Sequence, residues 1–229
     1  RDLDVYSEWY EVEHPAPKLI EESVYGLPEI YREHISASSI VANPGCYPTA
    51  SILGLAPALR AGIIDNNVII DAKSGVSGAG RGLSLKTHYS EVNENVSAYG
   101  LDGHRHMPEI AQELSEAAGE EVKVTFVPHL IPMTRGILAT SYASISEEFL
   151  ESEKDVGDSI KEIYRTSYRE EDFVKVTDSP PMTKQTLGGN ACRVYPNVDE
   201  RTGRMIVVSC IDNLVKGAAG QAVQNMNIM

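Results

Sequence analysis

Apolar and polar residues follow two spacings along this chain, one typical of β-strands and the other typical of α-helices. Continuous or alternating apolar runs predict strands at residues 68–72, 122–129, 136–145, 173–177, 191–198 and 204–211. The last two strands flank a short turn-forming sequence, so we expect them to form a hairpin. A shorter apolar run at 39–42 predicts a buried strand that ends at the turn signal Asn43-Pro44-Gly45.

Apolar residues recur at helical spacing in three segments, 48–61, 108–118 and 156–164. The first two segments begin with a proline and are followed by a glycine, as helices commonly are. The segment 212–229 is rich in small residues and predicts a tightly docked helix. Residues 1–28 are acidic and aromatic and show no strand pattern, so we expect irregular structure there with one short helix near 18–24.

Composition and charge narrow the class of protein. The chain has 229 residues, 42% of them hydrophobic, and a net charge of −13. Such an acidic balance argues against nucleic acid and anionic membranes as partners, and no apolar run approaches the ~18 residues of a membrane helix. The cysteines Cys46, Cys192 and Cys210 lie far apart, which predicts reduced thiols and a cytoplasmic location, with no disulfide framework.

Cys46 is the first candidate for chemistry. It lies where a strand and a turn lead into a predicted helix, and free N–H groups and the macrodipole favour an anion there. Such surroundings lower the pKa of a thiol and activate it as a nucleophile. The alternative interpretation is a small buried cysteine that fills a strand-to-helix corner.

Two further segments carry candidate residues. The sequence 73–82 contains four glycines and forms either an anion-binding loop or a flexible turn, but it matches neither common phosphate-binding motif. His104-Arg105-His106 precedes a predicted helix, and either histidine is a candidate acid or base. Solvated histidines are one alternative. A metal site with Glu109 is another, but a third histidine at suitable spacing is lacking, so we expect no metal.

Five motifs in this chain resemble, in the same order, those of the N-acetyl-gamma-glutamyl-phosphate reductase family in the semialdehyde dehydrogenase superfamily. Each motif is weakly specific alone, whereas five in order, covering nearly the whole chain, are a specific match. They are Asn43-Pro-Gly-Cys-Tyr-Pro-Thr49, Ser74-Gly-Val-Ser-Gly-Ala-Gly-Arg81, His104-Arg-His-Met-Pro-Glu109, the segment 128–140 that begins Pro-His-Leu-Ile-Pro, and the segment 212–227 that begins Asp-Asn-Leu-Val-Lys-Gly.

The resemblance implies an α+β fold with a mixed, largely antiparallel sheet and helices on one face. It implies that residues 1–45 are a remnant of an N-terminal nucleotide-binding domain and that residues 46–211 are the catalytic and dimerisation domain. Residues 212–229 would form a C-terminal helix that packs on the nucleotide-binding domain. We therefore expect the chain to begin late in that domain, to lack the main NADP-binding part and to be inactive alone.

The resemblance also implies a reaction. It is the NADPH-dependent reduction of N-acetyl-gamma-glutamyl phosphate to N-acetylglutamate 5-semialdehyde and phosphate, through a thioester on Cys46, in arginine biosynthesis. The expected partners are a small acyl phosphate and further copies of the chain, as a dimer or tetramer. The alternatives are a reductase of a related aspartyl or aminoadipyl phosphate, and an inert dimerisation and substrate domain.

The resemblance assigns roles to individual residues. His104 or His106 would exchange protons with Cys46, and Glu109 would bind substrate or orient a histidine. The remaining substrate candidates are Arg105, Arg81 and Tyr99, with Arg135 as a further arginine suited to a phosphate or carboxylate. The cofactor candidates are Ser74, Gly75, Asn213 and Lys216.

Overall fold

The computed structural model describes residues 2–229. The strands are β1 (Val24–Tyr25), β2 (Val41–Ala42), β3 (Ile64–Ser74), β4 (Ser97–Ala98), β5 (Lys123–Leu130), β6 (Ile137–Ile145), β7 (Val174–Val176), β8 (Cys192–Asp199) and β9 (Arg204–Ile211). The helices are α1 (Leu3–Tyr10), α2 (Pro17–Glu22), α3 (Pro28–Ser36), α4 (Cys46–Arg60), α5 (Tyr89–Val92), α6 (His106–Ala118), α7 (Glu147–Ser152), α8 (Val156–Ser167) and α9 (Gly220–Ile228). A π turn, Val215–Ala219, precedes α9.

A seven-stranded sheet in the order β4-β5-β3-β6-β9-β8-β7 forms the centre of the molecule. Neighbouring strands are antiparallel except for the pairs β3–β5 and β7–β8, which are parallel. The predicted mixed, largely antiparallel α+β fold is therefore confirmed. The predicted hairpin is the pair β8–β9.

Helix α4 lies at the centre of the core because it is apolar on every side. Its residues from Tyr47 to Leu59 are all buried. It packs on one face of the sheet, with α6 and α8 beside it. On the other face, the outward residues of β3 are half-buried or exposed, and Ile69 is 41% exposed.

The backbone of α4 is completed by side chains from other elements. Pro57 has no N–H, so it cannot donate to the carbonyl of Leu53 one turn earlier. The hydroxyl of Tyr168 donates to that carbonyl oxygen instead, at 2.6 Å. The hydroxyl of Tyr164 donates to the carbonyl of Gly54 at 2.7 Å. The proline is tolerated in the helix because its missing partner is replaced.

The two ends of the chain pack on each other, apart from the large sheet. Strands β1 and β2 form a separate parallel pair, and Gln221 and Asn225 of α9 both donate side-chain N–H groups to the carbonyl of Gly26, at 2.8 and 2.9 Å. Helices α1 and α3 were not predicted from the sequence. The predicted strand at 39–42 forms only over β2, and it is not buried, because Ala42 is exposed.

Among the described residues 2–229, none of the helices combines the length and the apolar character that crossing a bilayer requires.

Candidate active site

Cys46 is the first residue of α4, as the sequence predicts, and its side chain is half-buried. Hydrogen bonding by the backbone N–H groups of Cys46 and Tyr47 favours the ionised form of its thiol. The start of the helix is fixed by Thr49, whose N–H and hydroxyl both donate to the carbonyl of Gly45, at 3.0 and 2.9 Å. The free N–H groups of this first turn can therefore stabilise negative charge on the sulfur or beside it.

The pKa of the Cys46 thiol is nevertheless raised above its usual value. Burial is the main cause, and the negative charge of Glu109 adds to it, whereas the N–H groups of Cys46 and Tyr47 lower the pKa by less. The prediction of a lowered thiol pKa is therefore wrong for the folded chain. The helix terminus acts in the predicted direction, but removal of the sulfur from water outweighs it.

His106 is the histidine that packs on Gly45, the residue that precedes the cysteine. Its ring lies on Gly45, since a Cβ at that glycine would be 2.6 Å from His106 Nε2. The Nδ1 atom is buried and has no hydrogen-bond partner among the described residues. Burial, followed by the nearby His104 and Arg105, lowers the pKa of His106 to about 4. The imidazole is therefore neutral at cellular pH and able to accept a proton.

His104 has a different environment. Its ring contacts those of Tyr47, Tyr99 and Phe126, with centroids 5.7, 5.6 and 5.4 Å away. Its Nδ1 accepts a hydrogen bond from the backbone N–H of His106 at 3.1 Å, so Nε2 carries the proton of the neutral ring. His104 thus supports the backbone of His106 from within an aromatic cluster.

Glu109 holds the turn that precedes the cysteine. Its Oε1 accepts hydrogen bonds from the backbone N–H of Gly45 at 2.9 Å and from the hydroxyl of Tyr25 at 2.8 Å. No hydrogen bond joins Glu109 to a histidine within the described part of the chain, so the predicted orientation of a histidine is not observed. A carboxylate at the N-terminus of α4 stabilises the helix.

Tyr99 lies beside the start of α4. Its hydroxyl is 3.0 Å from that of Tyr47, which also donates to the carbonyl of His129 at 3.3 Å. Burial raises the pKa values of both tyrosines, so both hydroxyls stay protonated. Tyr99 is therefore close to the site, as its predicted role in lining the substrate pocket requires.

Three of the predicted cofactor residues meet at the ends of β3 and β6. The N–H of Gly75 donates to the carbonyl of Gly136 at 2.9 Å, and a Cβ at Gly75 would lie 2.8 Å from the backbone of Thr134. Asn213 accepts from the N–H of Gly136 at 2.7 Å and donates to Ser77 at 3.0 Å. Ser74 is buried next to Gly75. The glycine-rich segment is thus packed at Ser74 and Gly75, whereas its residues 78–82 are exposed.

The candidate arginines lie in different environments. Arg81 is exposed. Arg105 is also exposed, and its guanidinium lies over the ring of Tyr10 in α1, 5.5 Å from the centroid. Arg135 is 3.6 Å from the buried carboxylate of Asp212. The structure therefore does not bring the predicted arginines to a common substrate contact.

Lys216 does not occupy the predicted cofactor position. Its side chain is 0% exposed, and Nζ donates to Glu29 at 2.5 Å and to Gln224 at 2.8 Å. The prediction of a cofactor contact is corrected on this point, because a buried, paired ammonium is not accessible to a ligand.

Gly217 packs against Cys46, a contact that the sequence did not predict. A Cβ there would lie 2.7 Å from the Cβ of Cys46. The sequence indicated close packing by the small residues of this segment, but not that the neighbour is the cysteine. Tyr25 was missed as well, because its contact with Glu109 joins distant parts of the chain.

Comparison with protein families finds one match that covers most of the chain. The family described as "Semialdehyde dehydrogenase, dimerisation domain" matches residues 46–213. The match begins at Cys46 and ends at Asn213, so it includes the cysteine and both histidines of the site.

Curated relatives match the chain from end to end. Proteins named N-acetyl-gamma-glutamyl-phosphate reductase are 55% identical in Dehalococcoides mccartyi over 230 residues and 56% identical in Desulforamulus reducens over 232 residues. Each alignment covers 100% of this chain but only 66% and 65% of the relative. The chain thus spans about two thirds of the length of these relatives.

Solved structures share the fold at low sequence identity. Aspartate semialdehyde dehydrogenase II from Vibrio cholerae superposes with a TM-score of 0.67 at 18% identity, covering 91% of this chain and 68% of that one. The aspartate semialdehyde dehydrogenase from Francisella tularensis gives 0.65 at 14% identity, covering 91% and 71%.

Proposed function

This chain belongs to the semialdehyde dehydrogenase family through its dimerisation domain, and we propose from that premise that it is the catalytic and dimerisation part of an N-acetyl-gamma-glutamyl-phosphate reductase. The observation that carries the proposal is Cys46 at the N-terminus of a buried helix, beside a neutral histidine whose Nδ1 has no partner among the described residues. The reaction is reduction of the acyl phosphate to N-acetylglutamate 5-semialdehyde, with release of phosphate, in arginine biosynthesis.

The first step joins the sulfur of Cys46 to the acyl carbon. His106 takes the thiol proton as the S–C bond forms, because both groups are neutral before the substrate arrives. The N–H groups of Cys46 and Tyr47 are the available donors to the oxyanion. The bond between carbon and the phosphate oxygen then breaks, and phosphate leaves an acyl thioester on Cys46.

His106 is the acid and base of this scheme, and His104 positions it through the hydrogen bond to its backbone. When the thioester is reduced, the same imidazole returns its proton as the aldehyde is released. Tyr99 and Arg105 are proposed to line the substrate pocket, and Arg81 is proposed as a further phosphate contact. Glu109 acts indirectly, by holding Gly45.

The proposed cofactor is NADP, which as NADPH supplies the hydride for the second half of the reaction. The residues that would hold its nicotinamide end are Ser74, Gly75 and Asn213. Their fit is supported by the exposed backbone at Gly78 to Gly80, where a Cβ at Gly80 would meet nothing within 4 Å. Lys216 is left out of this set because its ammonium is fully buried and is paired with Glu29 and Gln224.

We propose that residues 1–45 belong to the nucleotide-binding domain and residues 46–211 to the catalytic and dimerisation domain. Residues 212–229 are proposed to form the helix that packs on the nucleotide-binding domain. The separate β1–β2 pair and its contacts with α9 support this division.

We further propose a cytoplasmic homo-oligomer that uses the open sheet face, since the outward residues of β3 are half-buried or exposed.

The test is an assay of the full-length protein, with its nucleotide-binding domain, for phosphate-dependent reduction of NADP by N-acetylglutamate semialdehyde. Activity that disappears in Cys46→Ser is the expected result. Activity with aspartate semialdehyde alone would assign a related acyl phosphate as substrate instead. Full activity in Cys46→Ser would overturn the thioester mechanism.

A further inference from the structure

We propose that Lys216 is a positioning residue for Cys46, because its buried ion pair with Glu29 holds the π turn that packs Gly217 against the cysteine. This inference rests on the proposed role of Cys46 as the nucleophile. In this role Lys216 controls the position of the Cys46 thiol, and its ammonium contacts no ligand.

The positive charge of Lys216 is balanced by polar side chains that bond both its ammonium and one another. Nζ donates to Oε1 of Glu29 and to Oε1 of Gln224, and Nε2 of Gln224 donates to the same Glu29 oxygen at 2.9 Å. Phe173 adds an aromatic face 5.8 Å from Nζ. A buried ion pair is stable only with such additional partners. The group therefore fixes the backbone at residue 216 relative to α3 and α9.

The π turn carries this constraint to the active site. Gly217 follows Lys216 directly, and a Cβ on it would lie 2.7 Å from the Cβ and 3.1 Å from the Cα of Cys46. Isolated π turns are uncommon and occur often at functional sites. A shift of the turn must therefore displace the cysteine or open a space beside it.

A second contact ties the same turn to the segment before Cys46. Nδ2 of Asn43 donates to the carbonyl of Ala218 at 3.4 Å, and Oδ1 of Asn43 accepts from Asn225 at 3.0 Å. The π turn is thus attached to both the approach to Cys46 and the helix α9. Lys216 adds a buried ion pair to these contacts, and the pair holds the π turn in place.

The decisive variants are Lys216→Met and the double variant Lys216→Met/Glu29→Gln. In the single variant, Glu29 keeps a buried charge without a cation, and its Oε2 already has no hydrogen-bond partner among the described residues. Its melting temperature is expected to fall. The double variant removes that charge, so its melting temperature should recover most of the loss.

The value of kcat distinguishes a positioning role of Lys216 from a purely stabilising one. We expect kcat of the full-length enzyme to fall about tenfold to a hundredfold in both variants, as for a small misplacement of a reacting group, while KM changes little. Iodoacetamide should alkylate Cys46 faster in both at a temperature well below melting, because the thiol loses its cover. Lys161→Met, at an exposed ion pair on α8, is the control and should match the wild type.

A double variant that recovers kcat together with its melting temperature would show that Lys216 is only structural and overturn the inference. An unchanged rate of Cys46 alkylation together with an unchanged kcat in Lys216→Met would also overturn the inference. Failure of the proposed function is distinguishable, because it appears as activity retained in Cys46→Ser whatever residue 216 is. Gly217→Ala tests the contact directly and is expected to lower kcat with Lys216 intact.

Discussion

At the scale of single residues, burial determines the protonation states in the site more than nearby charges do. Cys46 and His106 are both half-buried, and burial raises the pKa of the thiol while it lowers the pKa of the imidazole. The resting pair is therefore a neutral thiol beside a neutral base. In the proposed mechanism, transfer of the thiol proton to His106 therefore accompanies attack on the substrate.

The alkylation rate of Cys46 by iodoacetamide should keep rising through pH 9.0, the usual thiol value, because the pKa is raised above it. The rate is measured by mass spectrometry from pH 6 to about 10, the range in which thiols ionise. Cys192 and Cys210 serve as internal controls, since both are buried and have raised pKa values. A rate that levels off near neutral pH would contradict this account.

The stability of the protein should decrease as the pH falls from 6.5 to about 4, the usual and the lowered pKa of His106. In that window the unfolded chain binds a proton that the folded chain excludes, so protonation favours unfolding. The midpoint of thermal unfolding, followed by circular dichroism, measures the effect. His106→Gln should show a shallower dependence on pH, and equal slopes for the two proteins would show that His106 is not the cause.

At the scale of elements, helix α4 is held in place at its start and in its middle. Glu109 and Thr49 fix the turn around Gly45, and the hydroxyls of Tyr164 and Tyr168 reach its backbone from α8 and the residue after it. These contacts bring together residues that are distant in sequence. The position of the cysteine is therefore a property of the packed helices as well as of its own turn.

Tyr168→Phe should destabilise the protein by about 1–3 kcal/mol, because the carbonyl of Leu53 would stay buried without a donor. Pro57 cannot supply the missing N–H. Urea unfolding measures the change as a lower midpoint at constant slope. Tyr195→Phe is the matched control, since its hydroxyl bonds Asn197 from a half-buried position. Equal losses in the two variants would contradict the specific role of the Tyr168 hydroxyl.

Local patterns in the sequence predicted much of the fold. Helix α4, strands β3, β5 and β6, and the β8–β9 hairpin follow directly from apolar spacing and turn signals. The position of Cys46 at a helix start was predicted in the same way. Helices α1 and α3 were missed because they are short, with eight and nine residues, and their sequences are aromatic and charged.

The parts of the site that could not be predicted depend on contacts across the chain. Lys216 was assigned to the cofactor by the family resemblance, and its pairing with Glu29, 187 residues earlier, follows from no local pattern. The raised thiol pKa follows from burial of Cys46, which no local motif encodes. The motif order predicted which residues lie near the site, whereas tertiary packing decides which of them are available to a ligand.

At the scale of the whole molecule, the sheet separates a covered face from an open one. Helices α4, α6 and α8 occupy the covered face. The open face carries Ile69 beside the paired charges of Asp71 and Lys73, which lie 2.8 Å apart. A surface of mixed apolar and paired polar groups suits association with a second copy.

Ile69→Lys should shift the protein toward monomers, because a new charge in the proposed interface would be desolvated without a partner. Sedimentation velocity over a range of protein concentrations measures the shift. Leu150→Lys on α7 is the matched control, since Leu150 is 40% exposed and Ile69 is 41% exposed. A monomer fraction that changes equally in both variants would place the interface elsewhere.

The two glycines that flank the cysteine also restrict how this site can evolve. Cβ atoms at Gly45 and Gly217 would lie 2.6 Å from His106 and 2.7 Å from Cys46. Any single substitution at either glycine therefore disturbs Cys46 or His106, and no substitution at the other glycine restores the lost space. A library randomised at both codons should return glycine at each among its active members. New specificity must then arise from the surrounding loops, with the two glycines unchanged.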